Sequence, residues 1–287
     1  MPSRRLSRFA LFSIGILWAW IVLFAFLPQL MVLAASLLSK GSQQFIAFKV
    51  SADSYLRLFD PIYLGIFADS FRLALVTTLL CLLIAYPFAA TLARVSPRLR
   101  PVLLVLVIIP FWTSSLVRTY ALIAIIKTKG LLNAVLLSLG LITTPLELMY
   151  TDIAVFIGMV YTLLPFMILP LYASIEKIDT RLLEAAGDLG AGFWGKLMKI
   201  TIPLSMPGII AGSMLVFLPA LGMFYIPDLL GGAKNLIIGS FIRNQFLTFR
   251  DWPFGSAASM VLTMLMLFMV ALYYYSQKRI SQKEDAL

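Results

Sequence analysis

The stretch EAAGDLGAGFWGKLMKITIP runs from Glu184 to Pro203. It is polar, helix-prone and interrupted by glycine, and it sits inside a chain that is 61% hydrophobic and only 13% charged. Apolar runs flank it, near 152–173 and near 205–227. Each is long enough, as a helix, to cross roughly 30 Å of hydrocarbon, which takes about 20 residues. A water-soluble domain is closer to about half apolar and a quarter charged. The solvent of this chain is therefore a bilayer, and the stretch is a loop between two spans.

Working outward, further apolar runs lie near 9–38, 69–93, 101–122 and 255–276, which makes six. Backbone polar groups cannot be left unpaired in hydrocarbon, so each run is read as a helix. The expectation is an all-α polytopic membrane protein, one transmembrane domain over 1–287, with the loop 176–203 as its main polar insertion. The runs 131–142 and 234–248 are too short or too polar to span and read as interfacial or re-entrant helices. The N-terminus opens like a signal peptide, with Arg4, Arg5 and Arg8 before an apolar run. That run continues to about Leu38, so it reads as a retained first span. Asp69–Ser70 and Thr151–Asp152 read as N-caps, and Ser51–Pro61 as a short capped helix stopped by Pro61. Gly208 and Gly212, four apart, either let another helix come close or are simply small residues in a membrane helix.

Charge sets the orientation. With the N-terminus inside, thirteen Lys and Arg fall in the inner segments: Arg4, Arg5, Arg8, Arg94, Arg98, Arg100, Lys177, Arg181, Lys196, Lys199, Lys278, Arg279 and Lys283. Nine fall in the longer outer loops, Lys40, Arg118 and Lys234 among them. The density rule puts both termini and 176–203 on the cytoplasmic side of the membrane. The net charge of +10 then reflects loops beside anionic lipid, and no basic–aromatic block points to nucleic acid. There is no histidine and one cysteine, Cys81, which excludes His acid–base chemistry, disulfides and most metal sites.

The opening stretch now reads as an amphipathic helix bearing Leu182, Leu183, Ala186 and Leu189, a break at Gly190 and Gly192, and a second short helix from Phe193. Pro203 and Pro207 mark the start of the fifth span. Gly190, Gly195 and Lys196 imitate a phosphate loop. Leu197 stands where the magnesium-binding Ser or Thr belongs and a helix precedes the motif, so this is not a nucleotide site. Any ATP is hydrolysed on another chain.

Glu184-Ala185-Ala186, then Gly190 after three residues, then Ile200-x-Ile202-Pro203 after nine, resembles the EAA loop of binding-protein-dependent ABC transporter permeases. Ile202 stands where that pattern has leucine and keeps the apolar contact. The resemblance to the first permease subunit of spermidine/putrescine importers covers nearly the whole chain from about Trp18, including PFWTSSLVRTY (110–120), TKGLLN (128–133), GGAKN (231–235) and RDWPFG (250–255). It implies that Glu184, Ala185, Ala186, Gly190, Ile200, Ile202 and Pro203 form a coupling helix seated on a partner ATPase. It also implies a second homologous permease, two ATP-binding subunits and an extracytoplasmic solute-binding protein. This chain itself would bind no cofactor and catalyse nothing.

A polyamine needs carboxylates for its ammonium groups and aromatic faces for charge and methylenes alike. Asp228 follows Phe224 and Tyr225 at the outer end of the fifth span, at spacings that share one helix face. It reads either as a cation ligand or as a cap after Pro227. Trp112, beside Thr113, Ser114 and Ser115, is a cation–π wall or an interfacial anchor. Tyr161 is a further candidate inside the fourth span. Glu147 and Asp152 flank that span, and Arg118 is expected to pair with an acid or to reach for the interface. The alternatives are a permease for another small solute and a secondary transporter or channel. The latter lacks an intramembrane relay of Asp, Glu or His. No carboxylate pair at catalytic spacing supports an intramembrane enzyme.

Overall fold

The computed structural model describes residues 8–41, 46–232 and 236–284. Arg4, Arg5 and Lys234, with most of the GGAKN stretch, lie outside the described residues. The chain divides into two compact units: Met1–Leu64 with Phe241–Leu265, and Gly65–Ser240 with Met266–Leu287.

In the first unit, α1 (Arg8–Ile21) and α2 (Leu27–Ser36) are joined by a π-helical turn, Val22–Phe26. A two-stranded antiparallel ribbon follows, β1 (Leu38–Ser39) with β2 (Ala47–Val50). Next come α3 (Asp53–Leu58) and the first turn of α4 (Pro61–Arg94). Pro61 does more than stop α3. It occupies the first position of α4, where its missing N–H costs nothing, and Asp60 Oδ1 accepts the Ile62 N–H at 2.9 Å. Asp69 and Ser70 are consequently interior to α4 and cap nothing. The core of this unit is an aromatic trio of Tyr63, Phe241 and Phe254, with centroids 4.9–5.5 Å apart. Buried Asp251 accepts from Arg57 Nη1 at 3.1 Å and from the Phe254 N–H at 3.3 Å, capping the last helix, α14 (Trp252–Glu284). The Arg57 guanidinium also stacks 3.9 Å over Phe254.

The second unit holds the rest of α4, then α5 (Arg100–Ile108), α6 (Ser115–Ile126), α7 (Leu131–Ser138) and α8 (Asp152–Ile175). It continues with α9 (Thr180–Asp188), α10 (Phe193–Lys196), α11 (Ile202–Leu204), α12 (Met206–Gly222) and the start of α13 (Ile238–Leu247). Among the described residues, five helices are long and apolar enough to span, or six if the bent pair Phe193–Leu204 and Met206–Gly222 is one span. The all-α polytopic expectation holds at that level.

Two details differ from the sequence reading. The run expected over 101–122 is not one helix. Pro110 lies in a tight 3₁₀ turn, Ile109–Trp112, and Thr113 and Ser114 are extended, with ψ of 145° and 132°. The helix restarts at Ser115, and the span-length apolar segment there is Ser115–Ser138, which takes in most of the run thought too short. On α8, Thr151 is the cap: its side chain accepts from the Ala154 N–H at 3.3 Å, leaving Asp152 in the first turn.

The α8–α12 contact organises this unit. A Cβ on Gly208 would lie 2.5 Å from Ser174 Cβ and 2.7 Å from the Pro170 carbonyl; one on Gly212 would lie 2.7 Å from Met167 Sδ. The two helices touch backbone to backbone, so the glycine pair is a packing seam. Overpacking a seam of this kind typically costs about 1–3 kcal/mol. Gly208→Val should therefore lower the amount of chain in the membrane and its unfolding temperature in detergent, whereas Gly15→Val, with open space around it, should change neither.

Candidate permease site and coupling loop

The loop 176–203 is built from its own sequence. Asp179 begins α9, accepting the Arg181 N–H at 2.9 Å. At the other end the amides of Gly190 and Ala191 bond to the carbonyls of Gly187 (2.8 Å) and Ala186 (2.9 Å). That paired closure requires a left-handed residue after the helix, and Gly190 supplies it at φ +83°. Glycine at this position is thus a backbone requirement. Glu184 and Ala185 face outward on α9, with Ala186 half-buried. Ile200 and Ile202 are half-buried and Pro203 is exposed, next to the bend at Ser205. There the chain turns by 67° into α12. Leu189 is 89% exposed, and Phe193, Trp194 and Met198 are exposed beside it. Between α9 and α10 lies a cleft of about 440 Å³ lined by Arg94, Thr180, Glu184, Phe193 and Lys196. This is an apolar, charge-edged surface left uncovered by its own chain, which suits a protein partner.

The sequence reading missed how the loop is tied at its root. Arg100 Nη1 donates to Glu176 Oε1 at 2.5 Å, and Nη2 donates to the Ala93 carbonyl at 2.9 Å. One guanidinium thus joins the C-terminal ends of α4 and α8, where carbonyl dipoles favour a cation. The two residues are 76 apart, and no local spacing signals the pair.

At the other candidate cluster the structure revises the geometry. Phe224, Tyr225 and Asp228 do not continue the fifth span. The α12 helix ends at Gly222, Met223 is extended at ψ 123°, and a π-helical turn covers Pro227–Gly231. One cause is local and one comes from a later segment. Pro219 removes a helical hydrogen bond inside α12, and Gly239 packs its Cα against the Gly222 carbonyl, where a Cβ would come within 2.6 Å. The Asp228 amide bonds to the Phe224 carbonyl at 3.0 Å. The Phe224 and Tyr225 rings meet edge to face with centroids 6.2 Å apart. Half-buried Asp228 receives the Ser240 hydroxyl at 2.5 Å on Oδ1. Nearby, Asp69, Arg72, Asp152, Phe156 and Pro227 line a cleft of about 150 Å³. Trp112 stands apart at the end of its 3₁₀ turn, 81% exposed, and Glu147 is exposed in the segment before α8. Tyr161 is 45% exposed on α8. Among the described residues Arg118 pairs with no acid, and its guanidinium lies 5.8 Å from the Tyr161 ring and 5.5 Å from Phe111.

Residues 82–283 match the family described as binding-protein-dependent transport system inner membrane component. The chain belongs to that family. It is 52% identical over 266 residues to the spermidine/putrescine transport system permease protein PotB of Escherichia coli (strain K12), covering 93% of this chain and 97% of that protein. It is 47% identical over 279 residues to the protein of that name from Haemophilus influenzae, covering 97% and 98%. In fold it matches the crystal structure of a bacterial alginate ABC transporter in complex with an alginate pentasaccharide-bound periplasmic protein, with TM-score 0.71, 18% identity and 94% of both chains covered. The chain is thus an inner-membrane permease component of an ABC importer, a class that works with a further permease, an ATPase and a binding protein.

A left-handed conformation costs a branched residue more than asparagine, which visits it routinely. Gly190→Val should leave the chain in the membrane yet abolish transport and weaken ATPase retention, while Gly190→Asn should keep a substantial part of both. Normal transport by the valine variant would remove the loop from coupling.

Proposed function

We propose that this chain is one permease of a polyamine importer in which two ATPase subunits act on α9 and α10 to alternate access to a path between this permease and a second, homologous one. The observation that carries the substrate class is the 52% identity, across almost the full length, to a spermidine/putrescine permease. The site chemistry supports it. Asp228 follows Phe224 and Tyr225 by about one helical turn, and Asp69 and Asp152 line a cleft together with Pro227. Carboxylates and aromatic rings in one neighbourhood suit an ammonium group joined to methylenes. Glu184, Ala185, Ala186 and Gly190 form the ATPase-docking helix, and Ile200, Ile202 and Pro203 carry its motion into α12. Both termini and 176–203 face the cytoplasm, on the Lys and Arg density. Trp112 and Tyr161 add aromatic surface to the path. ATP is bound and hydrolysed by the partner subunits, with no cofactor held by this chain.

Asparagine keeps an oxygen to accept from Ser240 and loses the charge, so Asp228→Asn separates the two roles of this residue. Polyamine uptake by the assembled importer should fall at least about tenfold, equivalent to ~1.4 kcal/mol of lost interaction, with subunit assembly unchanged. Uptake at the parental rate would make Asp228 a structural acceptor and take it out of the path.

A further inference from the structure

Arg118 is placed where little favours a cation. It lies in the first turn or so of α6, at the positive end of that helix. Its Nε and Nη1 are sealed from solvent and have no hydrogen-bond acceptor among the described residues. No carboxylate among those residues forms an ion pair with it. What holds the guanidinium is a pair of ring faces, Phe111 at 5.5 Å and Tyr161 at 5.8 Å, both inside the roughly 6 Å reach of a cation–π contact. Phe111 is in turn braced edge-on by Phe166, with centroids 5.0 Å apart. A two-ring cation site therefore exists in this chain, and the chain's own arginine fills it.

We infer that Arg118 is a tethered cation occupying an aromatic ammonium site, and that a substrate ammonium group takes that site only when Arg118 swings out. The inference rests on the polyamine reading above. The two occupants exclude each other. Like charges at ring-contact distance repel, and a fully protonated polyamine carries no acceptor with which to pair the guanidinium. The exchange is nearly balanced for the arginine: leaving the rings forfeits the cation–π contact, but it releases two sealed donors to water or to acceptors elsewhere. The rings are thus kept covered by a movable charge until a competing cation arrives. Arg118 sets the occupancy of the site, and the two rings bind.

The test uses the assembled importer, purified without its binding protein, and equilibrium binding of radiolabelled spermidine. If Arg118 fills the rings about four-fifths of the time, its removal should tighten apparent affinity by about fivefold, because the competent fraction rises to one. Arg118→Gln should show that gain, and Tyr161→Leu should bind more weakly than the parent. The double variant should bind no more tightly than Tyr161→Leu alone, because the gain passes through the ring. Arg118→Lys keeps a tethered cation and should stay within about twofold of the parent. Unchanged or weaker binding in an assembled Arg118→Gln complex overturns the inference, as does a gain that persists without Tyr161. If Arg118→Gln and the similarly shaped Arg118→Met both fail to assemble while Arg118→Lys is normal, the charge is a structural staple and the inference also fails. A parent complex that drives no polyamine uptake counts against the polyamine reading itself. Normal parental uptake without the Arg118 pattern sinks this inference alone.

Discussion

The backbone contact between α8 and α12 at Gly208 and Gly212 is the interaction on which the rest depends. In hydrocarbon no hydrophobic force drives helices together, so close packing over small residues does much of that work. The consequence here is mechanical. The α8 helix runs directly into the loop 176–203, and α12 leaves it, so both ends of the loop are rooted on one packed pair. Under the proposed function, displacement of α9 and α10 by a partner would be delivered to that packed pair. Arg100 extends the same rigid body by joining Glu176 to the end of α4. The 67° bend at Ser205 lets the second half of the loop lie across the axis of α12.

Seen this way, the polar interlude in an oily chain has a physical account at each level. Asp179 and Gly190 begin and end α9 by hydrogen bonds that its sequence encodes locally. The apolar residues Leu189, Phe193 and Trp194 are exposed, and under the proposed function a partner covers them. Far from the loop in sequence, Asp228 and its aromatic neighbours sit on a turn made by an interrupted helix. Irregular backbone in a membrane protein is tolerated where it is buried in protein or lines a cavity. The break at Met223 is thus in keeping with a pathway wall.

Features carried by local chemistry were legible in the sequence. Thr151 as a cap and Gly190 as a turn each depend on residues within a few positions, whereas the spacing of Gly208 and Gly212 left a seam and a plain pair of small residues both open. Features that depend on distant contacts were not legible. Nothing near Arg100 announces Glu176, and nothing near Arg118 announces Tyr161. The interruption at Thr113 is signalled only by Pro110, which a helix can also carry as a kink, and so the run 101–122 looks continuous. The end of α12 at Gly222 needs Gly239 to press on it from another segment. Asp69–Ser70 looks like a cap because the apolar run begins there, yet Pro61 starts the helix two turns earlier, and Ser70 instead accepts the Ile238 N–H at 2.7 Å.

The central claim is that α9 and α10 are the surface on which an ATPase acts. A photo-crosslinking amino acid at Leu189, the most exposed apolar side chain of the loop at 89%, tests it in intact cells. A covalent adduct with the ATP-binding subunit is expected, strengthening or fading with the nucleotide state. An adduct with lipid or with the binding protein, and none with the ATPase, would contradict it.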